Sequence, residues 1–102
     1  MSNNGVTLHR RVRWFLEQLP DVYRQNLLEA LKPLQGLPPD QWPEGKVTEL
    51  GYPKPRYMMC VPPDLRVFLE HDENDELEVV DVMREEAYQF LLNSRERAEV
   101  SE

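Results

Sequence analysis

The stretch LRVFLEHDENDELEVVDVMREEAYQFLL, residues 65–92, decides how this chain is read. Its first seven residues alternate, so Leu65, Val67 and Leu69 fall on one side of an extended chain and Arg66, Phe68 and Glu70 on the other. The polar tip Asp72-Glu73-Asn74-Asp75 predicts a hairpin connection. Glu76 to Met83, rich in β-branched residues, then predicts a strand suited to a central place in a sheet. From Arg84 to about Arg97 the pattern becomes helical, with Ala87, Phe90 and Leu91 expected to face inward.

Working back from this stretch, short alternating segments at Lys46 to Leu50 and Arg56 to Val61 predict two more strands. Pro53 and Pro55 separate those two, and Pro62-Pro63-Asp64 separates the second from Leu65 to His71. Links this short imply antiparallel neighbours. The segment QGLPPDQWPEG from Gln35 to Gly45 holds three prolines and two glycines and predicts a loop, with Trp42 pinning it to the body. Upstream, Thr7 is suited to cap a helix with apolar residues Leu8, Val12, Phe15, Leu16 and Leu19. Pro20 breaks the pattern, because a proline is tolerated at a helix start but not in its interior. A second helix follows with Val22, Tyr23, Leu27, Ala30, Leu31 and Leu34. Two short amphipathic helices need a sheet beneath them. The expected fold is therefore α+β: two N-terminal helices on a four-stranded antiparallel sheet, with a C-terminal helix. Residues 1–6 are expected to be disordered, 7–97 to form one domain, and 98–102 to fray as an acidic end.

A length of 102 residues suits a single domain, and 40% apolar with 30% charged residues supports a modest core. The formal charge of −7 excludes a uniformly basic nucleic-acid surface. Residues 1–69 carry nine Lys and Arg against seven Asp and Glu, whereas residues 70–102 carry three against twelve. That asymmetry allows a basic surface on one side of an acidic protein. The single cysteine, Cys60, makes no intrachain disulfide, which fits a reducing compartment. The N-terminus shows no secretory leader pattern and no apolar run is long enough to span a bilayer, so a cytoplasmic location without membrane contact is expected.

The sequence contains no phosphate loop of the GxxxxGK[ST] type, no GxGxxG, no HExxH and no GxSxG, and nothing in it calls for a cofactor. No Cys/His cluster has zinc spacing, and the acidic series from Glu70 to Glu78 lacks the glycine turn of a calcium loop, so no metal is expected. His9 and His71 read as surface residues and Cys60 as an inert thiol in an apolar segment. The arginines are more informative, because a guanidinium stays charged and its planar fork matches two phosphate oxygens. Arg10, Arg11 and Arg13 decorate the first helix, Lys46, Lys54 and Arg56 flank the early strands, and Arg66 and Arg84 lie in or beside the later ones. Arg56 and Arg66 are expected on solvent-facing positions of neighbouring strands.

This element order, together with residues 65–92, resembles the RelE/ParE superfamily of bacterial type II toxin–antitoxin toxins. The resemblance covers about nine tenths of the chain and lies in pattern more than in motif. It implies a RelE/ParE toxin-like fold, an antitoxin as protein partner, and one of two targets: messenger RNA on the ribosome or DNA gyrase. For the nuclease branch it implies catalytic roles for Arg66 and Arg84, RNA or phosphate contacts for Lys46, Lys54 and Arg56, and aromatic support from Tyr57, Tyr88 or Phe90. The basic strand residues of that branch fall instead at Met58 and Cys60, which do not serve as proton carriers. General acid–base catalysis is worth about two to four powers of ten in rate, so weak or absent nuclease activity is expected. The leading expectation is a toxin-superfamily member acting by macromolecular contact, with Trp14 and Met58 as exposed partner-binding residues. The alternatives are a ribosome-dependent endoribonuclease using Arg66 and Arg84, and a non-toxic regulatory binding module.

Overall fold

The alternation around Leu65 becomes the centre of the sheet. A computed structural model describes residues 6–50, 56–71 and 76–100 of the chain. Its elements run β1 (Val6–Leu8), α1 (Arg10–Glu17), α2 (Asp21–Leu31), β2 (Thr48–Glu49), β3 (Tyr57–Val61), β4 (Leu65–His71), β5 (Leu77–Arg84) and α3 (Glu85–Val100). Among the described residues the strands form one five-stranded sheet in the order β1-β5-β4-β3-β2. The pairs from β2 to β5 are antiparallel, while β1 lies parallel to β5, so the sheet is mixed.

The fifth strand corrects the expectation of four. Thr7 does not cap a helix; it sits within β1, paired with Glu78. The helix begins at Arg10, and its cap is His9, whose Nδ1 accepts from the Arg11 N–H at 3.2 Å. Three extended residues running straight into a helix are too few to display alternation, and Leu8 also fits the helical stripe. Only the parallel partner β5 distinguishes the two readings. The His9 N–H donates to the Val79 carbonyl at 3.0 Å and extends that pairing into the cap.

Pro20 separates the helices as the sequence requires, standing at the N-cap of α2 with Asp21 in the first turn, where its charge suits the helix dipole. Val12 and Leu16 of α1 and Tyr23, Leu27 and Leu31 of α2 are buried against Leu65, Val67 and Leu69 of β4 and Leu77, Val79 and Val82 of β5. The side chain of Asn26 in α2 donates to the Pro62 carbonyl at 2.9 Å, tying the helix to the β3–β4 turn. Trp42 pins the proline-rich loop: it is buried in the core and its Nε1 donates to the Leu37 carbonyl at 3.1 Å. Within that loop Pro39–Gln41 form a 3-10 turn.

The sheet has a helix-covered face and a second face that α3 covers only in part. Between Phe68 and Leu69 the β4–β5 register shifts: Phe68 pairs with Asp81 but Leu69 with Val79, so β5 carries Val80 as an extra residue. The sequence places Ala87, Phe90 and Leu91 inward on α3, and the structure reverses this. All three are exposed, Phe90 by 70%, while Tyr88 and Leu92 are half-buried. The cause is the entry of the helix. It follows β5 without a linker, and its first residue, Glu85, is fixed by a backbone hydrogen bond to the Asp64 carbonyl at 2.8 Å and by its side chain on Arg66. The phase is set before the apolar stripe begins.

No helix among the described residues is long and apolar enough to cross a membrane.

Candidate functional site

Arg66 lies on β4 between Cys60 of β3 and Met83 of β5, on the face away from α1 and α2. Its guanidinium is fully engaged. Nε donates to Glu85 Oε1 at 2.5 Å and Nη2 to Oε2 at 3.1 Å, a bidentate pair. Nη1 points to the Met58 sulfur at 3.9 Å, and the plane lies over the Tyr88 ring at 4.5 Å from its centroid. Gln89 completes the group, its Nε2 donating to Glu85 Oε2 at 2.7 Å. The hydrogen bonds from Arg66 and Gln89 hold the Glu85 carboxyl below the usual carboxylate range, and Glu85 in turn raises the pKa of Arg66.

Arg84 belongs to a different cluster. It pairs directly with Leu65, which is buried on the helix-covered face, so the alternation of the strands puts Arg84 on the side opposite Arg66. Its Nε and Nη2 reach Asp64 Oδ2 at 3.0 and 2.9 Å, and it stands 5.6 Å from the Tyr23 ring centroid. The neighbouring Asp64 carboxylate and burial raise the pKa of the Tyr23 phenol, and Asp64 raises that of Arg84. The two arginines that the resemblance assigns to one phosphate therefore stand on opposite faces, each bound to its own carboxylate.

The other expected site residues are dispersed. Arg56 shares the open face with Arg66, as expected, but its Nη2 is paired with Glu70 at 2.7 Å. Lys46 is exposed in the loop before the edge strand β2, and Lys54 lies outside the described residues. Tyr57 pairs with Leu69 and turns to the core face, edge-on to Trp42 at 4.9 Å, so it gives Arg66 no support. Burial, followed by the charge of Glu49, raises its pKa. Tyr88 does support Arg66; Phe90 points away into solvent. Met58 is 9% exposed and is corrected as a partner contact, because the Arg66 guanidinium and the adjacent Phe68 cover it. Cys60, read as an inert thiol, is exposed on the open face.

Trp14 is exposed by 64%. Helical spacing sets it one turn from Arg10 on the outer ridge of α1, with Arg11 and Arg13 on the two flanks. None of these arginines has an ion pair among the described residues. Beside this ridge a cleft of about 200 Å³ between α1 and α2 is lined by Leu16, Leu19, Arg13 and Arg24 together with Glu17 and Asp21.

The residues that sequence reasoning missed are Glu85 and Asp64, the carboxylates that claim the two arginines. Their separations of 19 and 20 residues from their partners carry no local signal. Both contacts depend on the β4–β5 register and on where α3 starts. Among the described residues, no group of three or more His, Cys, Asp or Glu is placed to hold a metal ion. Comparison with protein-family models, with curated proteins and with solved structures finds no match to this chain.

Proposed function

We propose that this chain is a RelE/ParE-like toxin-superfamily protein that acts by macromolecular contact, with an antitoxin as its partner and with little or no nuclease activity. Two helices, a run of antiparallel strands and a terminal helix support the family reading. The observation that carries the functional reading is the bidentate Arg66–Glu85 pair. Phosphodiester cleavage needs positive charge aimed at a developing phosphorane and a group to move protons. At Arg66 the fork that fits a phosphate already holds a carboxylate, and the flanking strand positions are Met58, Cys60 and Met83. A substrate phosphate must displace a well-bonded anion from a site with no proton carrier among those strand neighbours. The arginines around Trp14, which have no ion pair among the described residues, offer a better contact for a partner: an aromatic anchor with a cationic rim is the composition that protein interfaces favour.

The test is induced expression in a bacterial host, following growth and mapping RNA 5′ ends, with Arg66→Ala and Trp14→Ala beside the unmodified chain. Growth arrest without new RNA ends, unchanged by Arg66→Ala and relieved by Trp14→Ala, supports the contact reading. New RNA ends that vanish in Arg66→Ala overturn it in favour of the endoribonuclease. Normal growth with the chain folded and abundant overturns the toxin assignment and leaves a regulatory binding module.

A further inference from the structure

The outward arc of α1 carries Arg10, Arg11, Arg13 and Trp14, all exposed, and Arg24 is exposed on the neighbouring α2. None of these four arginines has an ion pair among the described residues. The sheet differs: Arg56, Arg66 and Arg84 each hold a carboxylate of their own chain. On a chain of net charge −7, the cations left to meet an outside anion are therefore gathered on the two helices.

The cleft beside this arc narrows the chemistry of that anion. Its lining is apolar at Leu16 and Leu19, basic at Arg13 and Arg24, and acidic at Glu17 and Asp21. At about 200 Å³ it is smaller than the roughly 300–1,000 Å³ of small-molecule sites and has room for one or two side chains. A nucleic-acid backbone or an anionic lipid surface is negative throughout, so Glu17, Asp21 and the acidic body repel it. A polypeptide satisfies all three kinds of lining at once. It supplies carboxylates for the arginines, an apolar side chain for the leucines and backbone N–H groups for the two acids.

We infer that the α1–α2 surface docks an acidic segment of a partner protein, with its carboxylates on Arg10, Arg11, Arg13 and Arg24 and an apolar side chain in the cleft. Trp14 stands among the α1 arginines and packs on the segment, an aromatic anchor inside a charged rim. Opposite charge also selects the partner, because it speeds encounter and rejects basic sequences. The inference rests on the reading of the Trp14 ridge as a partner contact and is independent of the toxin assignment.

Selection from a display library of random linear peptides on the immobilised full chain tests it. Unspecific attraction to a chain of charge −7 enriches basic peptides, so enrichment of acidic ones is informative. The expected winners combine Asp or Glu with a large apolar residue, and as synthetic peptides they bind in fluorescence anisotropy. Their affinity falls at least about tenfold in Trp14→Ala and in the double variant Arg13→Glu, Arg24→Glu. It also falls several-fold when NaCl rises from about 0.15 M to about 0.5 M. All three side chains are exposed, so thermal circular dichroism is expected to show both variants folded. No enrichment, or enrichment of basic or uncharged peptides alone, overturns the inference; where those peptides are lost in Trp14→Ala, the ridge stands as a contact and only its acidic partner is refuted. Acidic peptides indifferent to both variants overturn the inference and the contact reading together. A single-stranded oligonucleotide or phosphatidylserine vesicles that bind through the same arginines more tightly than the selected peptides overturn it in favour of a polyanion. Normal growth in the expression assay refutes the toxin assignment and leaves these outcomes as they are.

Discussion

Replacing Phe90 by alanine separates the two ways of docking α3 on the body. An aromatic side chain facing the core costs about 3–5 kcal/mol when truncated to alanine. In the structure Phe90 is 70% exposed. A phenylalanine buries about 200 Å² when fully enclosed, so the covered part is about 60 Å², worth about 1.5 kcal/mol at about 25 cal/mol per Å². Alanine recovers about 0.5 kcal/mol of helix propensity, leaving a net loss of about 1 kcal/mol. For a chain of this size that is a fall of about 5 °C in melting temperature. Leu27→Ala provides the scale, because Leu27 is wholly enclosed between α2 and the sheet. Its loss of about 3 kcal/mol lowers the melting temperature by about 15 °C. Both are measured by thermal circular dichroism and by urea unfolding at about 1 μM. An unchanged urea slope identifies a change in native stability alone. A loss of 3 kcal/mol or more in Phe90→Ala at that concentration refutes the outward placement of the stripe.

Glu85 makes stability fall in acid. Its carboxyl is held below the ordinary carboxylate pKa by Arg66 and Gln89, so its contribution is complete above that pKa and is lost as the pH drops through the lower folded value. Stability measured against pH below neutrality is expected to fall less steeply in Arg66→Ala over that acidic window; equal slopes in the two proteins contradict the pairing. The two tryptophans are expected to differ in acrylamide quenching, with Trp14→Phe leaving a protected emitter at Trp42 and Trp42→Phe leaving an accessible one at Trp14. Similar quenching constants count against the pinned loop. Gly45 has φ +81 with no atom close to where a Cβ stands. Gly45→Ala is therefore expected to cost about 1 kcal/mol from backbone strain alone, and an unchanged urea midpoint counts against that turn.

Much of the architecture was legible in local pattern. The alternation of Leu65 to His71 gave β4 with its bounds and its core face, because a period of two needs only one buried side to declare itself. Pro20 marked the junction of the two helices because a missing N–H and a fixed φ act on the chain wherever it goes. Trp42, flanked by prolines in the sequence, is buried in the core. β1 was not legible: three residues carry too little pattern, and their partner is some seventy positions away. The apolar spacing of Ala87, Phe90 and Leu91 was also legible, but periodicity shows only that a helix has an apolar side.

The arginines mark the same boundary. Composition and spacing placed cations along the strands and on α1, and alternation alone set Arg66 on the face away from Leu65. Which anion each cation meets was decided by strand register and by the start of α3. One step of register sets Arg84 beside Leu65 and Asp64, and the direct passage from β5 into α3 brings Glu85 onto Arg66 and Tyr88 over it. Backbone propensity and hydrophobic period are properties of neighbours along the chain, so the sequence by itself determined the helices, most of the strands and the covered face of the sheet. An ion pair closed across 19 or 20 residues has no local energy to reveal it. Only the tertiary structure decided that both arginines are already held by carboxylates, and that the apolar side of the last helix faces outward.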